Sequence, residues 1–192
     1  MTYQYRIVTP PAALPVTMED LKNHLRIGHE DEDSLLAGYA AAAVNHLETV
    51  LNRPIMNQTI EQILPSFPAR WPIELRGRVQ QVVAITYWDG EAQQVLDPAT
   101  YWVNTYAEPG MVSLSINRHW PTTVLREDAV RITYVSGFGD SPNDVPEALR
   151  QAILLLAGHW YESRVPVSVG ATVSAMPFGV ECLAAPYRLW SF

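Results

Sequence analysis

The residues that could perform covalent chemistry are few, and their sequence contexts do not activate them. The candidate nucleophiles are Ser113, Ser136, Ser141 and Cys182. None of the serines stands in a Gly-x-Ser-x-Gly elbow, the strained turn that exposes a catalytic hydroxyl. Cys182 lies in an apolar segment, where we expect a small buried hydrophobic side chain. The sequence therefore does not support nucleophilic catalysis.

A cation site is the next chemistry to weigh, because histidine and aspartate cluster in the first quarter of the chain. His29, Asp31 and Asp33 are possible ligands, and Asp31-x-Asp33 begins like a calcium-binding loop. Positions six and twelve of such a loop require glycine and glutamate. They are occupied here by Leu36 and Ala42. We therefore predict no metal, and we interpret the acidic run as the start of a helix.

Phosphate and acid–base sites are also not indicated. The glycine-containing stretch 137–140 reads Gly-Phe-Gly-Asp, without the third glycine of a dinucleotide fingerprint or the Gly-Lys-Ser/Thr of a P-loop. Glu127 and Asp128 are adjacent before a predicted strand, where neighbouring side chains point to opposite faces. We expect no cofactor and no enzymatic activity.

Composition describes the protein that must carry these residues. The chain has 192 residues, of which 48% are hydrophobic and 17% charged, so it can bury a sizeable core and is not a disordered chain. With 13 basic and 20 acidic residues the formal net charge is −7. General electrostatic binding to nucleic acid is therefore not expected, because such binding depends on cationic groups that neutralise phosphates.

Cysteine usage and apolar run length limit the class further. The single cysteine excludes an internal disulfide framework and a cysteine-rich zinc module. No charged and apolar leader opens the sequence, and its apolar runs are far shorter than the roughly 18 residues of a membrane span. We expect a soluble protein that is made in the cytoplasm.

Helical patterns lie at both ends of the chain. Thr17 is followed by acidic residues and predicts a short helix over about 17–27. An alanine-rich period predicts a second helix over 34–51, which Pro54 ends. A third predicted helix, about 146–163, is apolar on nearly every side, so it is buried within the subunit or between subunits.

The middle and the end of the chain have different patterns. Short β-rich runs separated by Asp-Gly and Pro-Gly turn signals fill about 58–136 and predict an antiparallel sheet or small sandwich. Residues 165–176 are uncharged and lack any period. The fold class is therefore α+β: a helical bundle of N-terminal helices and a long C-terminal helix, with a central antiparallel β-rich region and an extended C-terminal arm. We place one domain at 1–164 and the arm at 165–192.

Five segments together resemble a known family. In order they are Thr17–Arg26, the acidic Asp31–Asp33, Asn52-Arg53-Pro54, Val145–Glu162 and Leu183–Arg188. Their sequence and order resemble the head-tail connector (adaptor) proteins of long-tailed phages, prophages and gene-transfer agents. About half of the chain carries this resemblance.

The resemblance implies a structural protein of the virion neck. Such a protein would dock under the portal as a ring, with twelve copies in the virion. It would offer its other side to a stopper or tail-completion protein and surround a channel through which DNA passes without specific binding. An acidic protein suits such a conduit.

Two sets of residues follow from this interpretation. An apolar patch on a tether can dock in a partner's groove and become ordered only on binding. The predicted portal-docking residues are Phe178, Val180, Leu183, Tyr187 and Arg188. The predicted subunit-interface residues are Asp31, Asp33, Arg150, His159 and Trp160, with the acidic residues facing solvent or a neighbouring subunit's arginine.

Alternatives remain open at this point. The protein could be another phage neck or tail-end module, such as a tail terminator or completion protein, because the same ring would serve there. A small enzyme domain is a further alternative, based on unassigned histidine and aspartate residues. The tail could also pack permanently on its own core rather than form an arm.

Overall fold

The computed structural model describes residues 4–69, 72–163 and 178–190, and its architecture is α+β with antiparallel sheets. The chain divides into two compact units. A β unit comprises Met1–Pro11 and Asn57–Gly137, and a helical unit comprises Ala12–Met56 and Phe138–Phe192. The chain therefore passes from one unit to the other three times.

The β unit contains a five-stranded sheet of order β1-β2-β8-β4-β5 and a three-stranded sheet of order β3-β7-β6, in which all paired strands are antiparallel. The strands are β1 (Gln4–Thr9), β2 (Gln58–Leu64), β3 (Ile73–Leu75), β4 (Val79–Trp88), β5 (Gln93–Val95), β6 (Tyr101–Asn104), β7 (Gly110–Leu114) and β8 (Val130–Ser136). A short 3-10 turn, Pro98–Thr100, precedes β6.

One apolar core joins the two sheets. In β8 every second residue is buried, from Val130 to Ser136, the period-2 pattern of a strand with one face in a core. Tyr134 lies in the middle of that face, fully buried, and its hydroxyl accepts a hydrogen bond of 3.0 Å from the Arg76 N–H. Burial raises the pKa of Tyr134, so this hydroxyl stays protonated. The predicted β-rich region is thus confirmed.

The helical unit contains α1 (Met18–Leu25), α2 (Asp33–Leu51), α3 (Glu147–Glu162) and α4 (Phe178–Ala184), with 3-10 turns at Pro142–Asp144 and Ala185–Tyr187. A capping box begins α1: the Thr17 N–H donates to Asp20, and the Asp20 N–H donates to the Thr17 hydroxyl. The core of the helical unit includes Leu21, Leu47 and Ile153.

Several boundaries differ from the sequence predictions. The strand β1 was not predicted, because all six of its residues are exposed and give no alternating pattern. Helix α1 ends at Leu25, with Arg26 after it in a left-handed conformation, φ 57°, so it is shorter than the predicted range 17–27.

The predicted bundle with a long C-terminal helix is not supported. The helix α3 has 16 residues, and residues 178–184 form a further short helix instead of an extended arm. The reason is local packing, since Val180 and Ala184 lie one turn apart and are both buried in the core of the helical unit. The predicted arm residues 165–177 lie outside the described residues.

Candidate interaction surfaces

The C-terminal segment, which we define as residues 178–190, is integrated into the helical unit. Val180 is 0% exposed and Ala184 is buried beside it, while Leu183 and Tyr187 pack against the same core. Val180 therefore packs inside the unit rather than being presented to a partner. Of the predicted docking residues, Phe178, at 79% exposure, and Arg188 are exposed.

A buried arginine fixes this segment. Arg53 is only 2% exposed, and its Nη1 donates to the Tyr187 carbonyl at 3.3 Å. Its guanidinium lies 4.5 Å from the ring centroid of Phe138, and that ring meets Tyr187 edge-on. The Leu189 N–H also donates to the Leu51 carbonyl at 2.9 Å. The Asn-Arg-Pro motif thus positions the C-terminal segment, a role that sequence reasoning did not assign.

At the end of the segment an exposed cation and an aromatic ring form a pair. The Arg188 guanidinium lies 4.4 Å from the ring centroid of Trp190, and the Trp190 side chain is exposed. Cys182 is exposed as well, which corrects its predicted burial. It stands on the outer side of α4, because Val180 and Ala184 occupy the inner side.

The acidic run at residues 30–33 begins α2 and has partners within the subunit. Asp33 forms a salt bridge of 2.7 Å with Lys22, and Glu32 accepts a hydrogen bond from the Tyr161 hydroxyl. The Asp31 side chain is 93% exposed and lies 3.8 Å from Nδ1 of His29. Within the described ranges, no three His, Cys, Asp or Glu side chains come together as metal ligands.

Arg150 also forms its ion pairs inside the subunit. It lies 3.2 Å from Asp20 and 3.0 Å from Glu147, so it joins the start of α1 to the start of α3. The pKa of Asp20 is lowered, first by the hydrogen bond from the Thr17 backbone and then by the Thr17 hydroxyl and Arg150. This arginine therefore stabilises the packing of two helices.

His159, another predicted interface residue, lines a groove of about 340 Å³ on the helical unit. His24, His159 and Glu162 contribute its polar groups, and its apolar lining comes from Leu25, Leu155, Gly158, Gly179 and Val180. The Trp160 side chain packs on the core and meets His46 edge-on at 6.1 Å. His159 and Trp160 are thus close together, but one lines a groove and the other supports the core.

On the β unit, a chain of ion pairs crosses the outer face of the five-stranded sheet. Arg6 lies 2.8 Å from Glu61, which is 3.9 Å from Arg131, which in turn is 2.8 Å from Asp128. Arg126 also pairs with Asp128. The hydrogen bonds from Arg126 and Arg131 lower the pKa of Asp128 to about 2. Sequence reasoning weighed Asp128 only as an acid–base group and missed this role.

The two units differ in charge. The β unit contains seven basic and eight acidic residues, for a net charge of −1, whereas the helical unit contains six basic and twelve acidic residues, for a net charge of −6. Almost all of the net negative charge therefore belongs to the helical unit.

Large apolar side chains are exposed at the loop ends of the β unit. Tyr106 follows β6, Ile116 follows β7, and Leu125 precedes β8, and each is more than nine-tenths exposed. Trp102, on β6, is exposed by about half. Exposed apolar groups of this size are typical of surfaces that another protein covers.

No described helix is both long and apolar enough to cross a membrane.

Comparison with known proteins connects this architecture to one kind of particle. A family model described as head completion protein matches residues 16–178. A chain in the neck of an empty gene transfer agent particle, computed with C6 symmetry, has 24% sequence identity and a TM-score of 0.79, and the match covers 98% of this chain and 97% of that chain. No curated protein matches the sequence.

Two further solved structures have the same fold. One is a chain of the virion of a native gene transfer agent particle, with 23% identity and a TM-score of 0.79 over 98% of this chain and 96% of that chain. The other comes from the neck of a native particle computed with C12 symmetry, with 24% identity and a TM-score of 0.73 over 100% and 97%. The similarity therefore includes both the β unit and the helical unit.

Proposed function

Because the chain belongs to the head completion protein family, we propose that it is a structural protein of the phage neck that docks as a ring on the portal and connects the capsid vertex to the tail. The observation that carries this proposal is the match of the whole fold to chains from necks of gene transfer agent particles, one of them computed with C12 symmetry. Twelve copies would form the ring, and a stopper or tail-completion protein would bind its other side.

The positions of the candidate nucleophiles support a structural role rather than a catalytic one. The Ser136 hydroxyl is fully buried and lies 2.8 and 3.0 Å from the carbonyl oxygens of Arg76 and Arg78. The Ser141 side chain caps the 3-10 turn at Pro142–Asp144. Both hydroxyls therefore satisfy backbone groups, which is the ordinary use of serine at strand ends and helix caps.

We place portal docking on the exposed part of the C-terminal segment. Phe178, Arg188 and Trp190 present two aromatic rings and one cation, and aromatic and arginine side chains are enriched where protein interfaces bind most strongly. Val180 and Tyr187, which the sequence also assigned to docking, hold the segment in place instead. In this proposal the docking residues belong to a packed C-terminal segment rather than to a tether.

The charge distribution supports a role as a DNA conduit. A ring that contains twelve helical units, each with a net charge of −6, repels phosphate groups. Binding of DNA through released counterions requires the opposite charge. We therefore propose that DNA passes through the ring without specific contacts and that the helical units account for most of this repulsion.

Reconstitution with the portal protein of the same particle tests the proposal. We expect the purified chain to add a ring to the portal, visible by electron microscopy, and to assemble weakly or not at all alone. The double substitution of Phe178 and Trp190 by serine should abolish this ring, whereas Ile116→Ser on a β-unit loop should not.

A tail terminator is the second candidate, since it would form a similar ring. It would bind the end of a tail tube and leave the portal bare. Binding to isolated tails without any binding to the portal would therefore overturn the assignment as an adaptor. The broader assignment as a neck or tail-end protein would still stand.

A further inference from the structure

Within the described ranges, β1 is an edge strand of the five-stranded sheet and pairs only with β2. All six residues of this strand are exposed, and Tyr5, Ile7 and Val8 each expose about half of their side chains. The one charged residue in the strand, Arg6, is paired with Glu61 at 2.8 Å. Soluble proteins usually protect such edges with charges, prolines or short strands, because an open edge is a template for another strand. The protection within β1 is limited to Arg6 and to a register irregularity between Ile7 and Thr9.

The opposite edge of the same sheet is also partly unpaired, over a stretch of β4 with register irregularities between Val79 and Gln81 and between Val82 and Ala84. The strand β4 has ten residues, but β5 pairs only with its last three, Thr86–Trp88. The Leu96 N–H still donates to the Ile85 carbonyl at 2.8 Å, after which the chain turns away at Pro98. Within the described ranges, no strand therefore pairs with residues 79–84 on the side away from β8. Val83, in this stretch, is 57% exposed.

The two open edges are complementary in direction. Every neighbouring pair in the order β1-β2-β8-β4 is antiparallel, so β1 and β4 point in opposite directions. When one copy of the chain follows another with its sheet continued, β1 of the second copy meets β4 of the first in antiparallel orientation. It then runs in the same direction as β5, which is antiparallel to β4, and it covers the stretch of β4 that β5 leaves unpaired.

We propose that the occupant of this edge is a second copy of the chain, and that β1 of each subunit adds to residues 79–84 of β4 in the next subunit. This inference rests on the proposed ring. A contact between two different surfaces of identical subunits is the head-to-tail type, which closes into a ring when the rotation allows. A regular six-residue antiparallel pair contributes on the order of six backbone hydrogen bonds, and the irregularities in both strands reduce that number.

We take as the register to be tested the one in which the two segments run in opposite directions without a slip. With the first residue of β1 beside residue 84 and the last beside residue 79, Ile7 lies next to Gln81 and Tyr5 next to Val83. Paired residues of antiparallel strands have Cα atoms about 4.5–5.5 Å apart, a separation that a disulfide can bridge. The interface can therefore be tested by cysteine pairs.

The experiment uses the full chain, with Cys182→Ser as background, assembled on the portal protein. The double variant Ile7→Cys with Gln81→Cys should give, on mild oxidation, a ladder of covalent multimers that ends at the closed ring. A mixture of the two single variants should give dimers only. The control pair Ile116→Cys with Gln81→Cys should give no ladder, because Ile116 is exposed outside both edges.

A second variant measures the same edge without a disulfide. Ile7→Lys places a charge on the open edge, and we expect it to eliminate the ring while the melting temperature of the subunit stays unchanged. Ile116→Lys, the same substitution at a more exposed position, should keep the ring.

The possible outcomes distinguish a failure of the proposed edge interface from a failure of the proposed function. Rings on the portal that persist in Ile7→Lys, or that oxidise without a ladder, would overturn the edge interface and leave the proposed function intact. A wild-type chain that forms no ring on the portal would overturn the proposed function, and the edge interface with it.

Discussion

Val180 is the residue through which the fold of the C-terminal segment can be tested most directly. It is 0% exposed in the core of the helical unit, whereas Phe178, two residues earlier on the same helix, is 79% exposed. Val180→Ala removes two buried methyl groups, and Phe178→Ala removes a ring from the surface. Val180→Ala should therefore reduce the stability of the subunit and leave portal binding unchanged. Phe178→Ala should weaken portal binding and leave the stability nearly unchanged.

The magnitude follows from the buried groups. Two methyl groups correspond to about 1.6 kcal/mol at about 0.8 kcal/mol each. The cavity that remains adds to this loss, and the better helix propensity of alanine offsets about 0.5 kcal/mol. We expect Val180→Ala to lower the free energy of unfolding by about 2 kcal/mol, and Phe178→Ala to change it by about 0.5 kcal/mol or less.

Urea denaturation monitored by circular dichroism measures both values, and portal binding is assayed on the same samples. Phe178→Ala should weaken portal binding, and Val180→Ala should retain it at temperatures where the subunit is folded. Equal and small changes in unfolding free energy for the two variants would refute the reasoning. They would mean that the C-terminal segment is a detachable arm, as the sequence alone predicted.

Three further outcomes follow from single contacts. Arg53→Ala should lower the free energy of unfolding by about 2–3 kcal/mol in urea titrations, because it removes a buried side chain that packs on Phe138 and donates to the Tyr187 carbonyl. A change below about 0.5 kcal/mol would mean that Arg53 does not hold the C-terminal segment in place. The pKa of Asp128 is lowered to about 2, so its stabilising contribution is present above the ordinary value of about 3.9 and disappears as the pH falls through about 2. The melting temperatures of wild type and Asp128→Asn should therefore differ at pH 7 and converge near pH 2. Calcium should not raise the melting temperature, since Asp33 already pairs with Lys22; a calcium-dependent rise would restore the metal site.

The sequence predicted most elements because their patterns are local. Helices α2 and α3 agree with their predicted bounds to within one residue, and strands β2 to β8 lie within the predicted β-rich region 58–136, since turn residues and apolar periods define them. The resemblance to phage neck proteins is confirmed as well. The strand β1 has no such pattern, because an edge strand exposed on both faces has no need for alternation. The helix α4 is too short, at seven residues, for a period to be recognised.

The division into two units could not be predicted for a different reason. The strands β1 and β2 pair although the whole of α1 and α2 lies between them in the sequence, and no change in composition marks the crossings. The role of Arg53 could not be predicted either, because it also depends on contacts between residues that are distant in sequence. Its motif was recognisable at residues 52–54, but its partners Phe138 and Tyr187 are distant in sequence, and only the folded chain brings them together.

The sequence and the structure lead to two different subunit interfaces, and salt distinguishes them. The sequence predicts contacts through Asp31, Asp33 and Arg150, but Asp33 and Arg150 form their ion pairs within the subunit. A ring held by those charges would first have to break existing pairs. Its stability would then fall as salt shortens the range of charge interactions from about 10 Å at 0.1 M to about 3 Å at 1 M.

A ring held by the edges of β1 and β4 depends on neutral backbone hydrogen bonds and on apolar side chains such as Ile7 and Val83. We therefore expect the fraction of portal-bound rings to change little between about 0.1 and 1 M salt. Electron microscopy after equilibration at each salt concentration measures this fraction. Asp31→Asn, at a side chain that is 93% exposed, should likewise leave the ring intact. A steep loss of rings with salt, matched by a loss in Asp31→Asn, would return the interface to the acidic run and leave the open edges for another strand to cover.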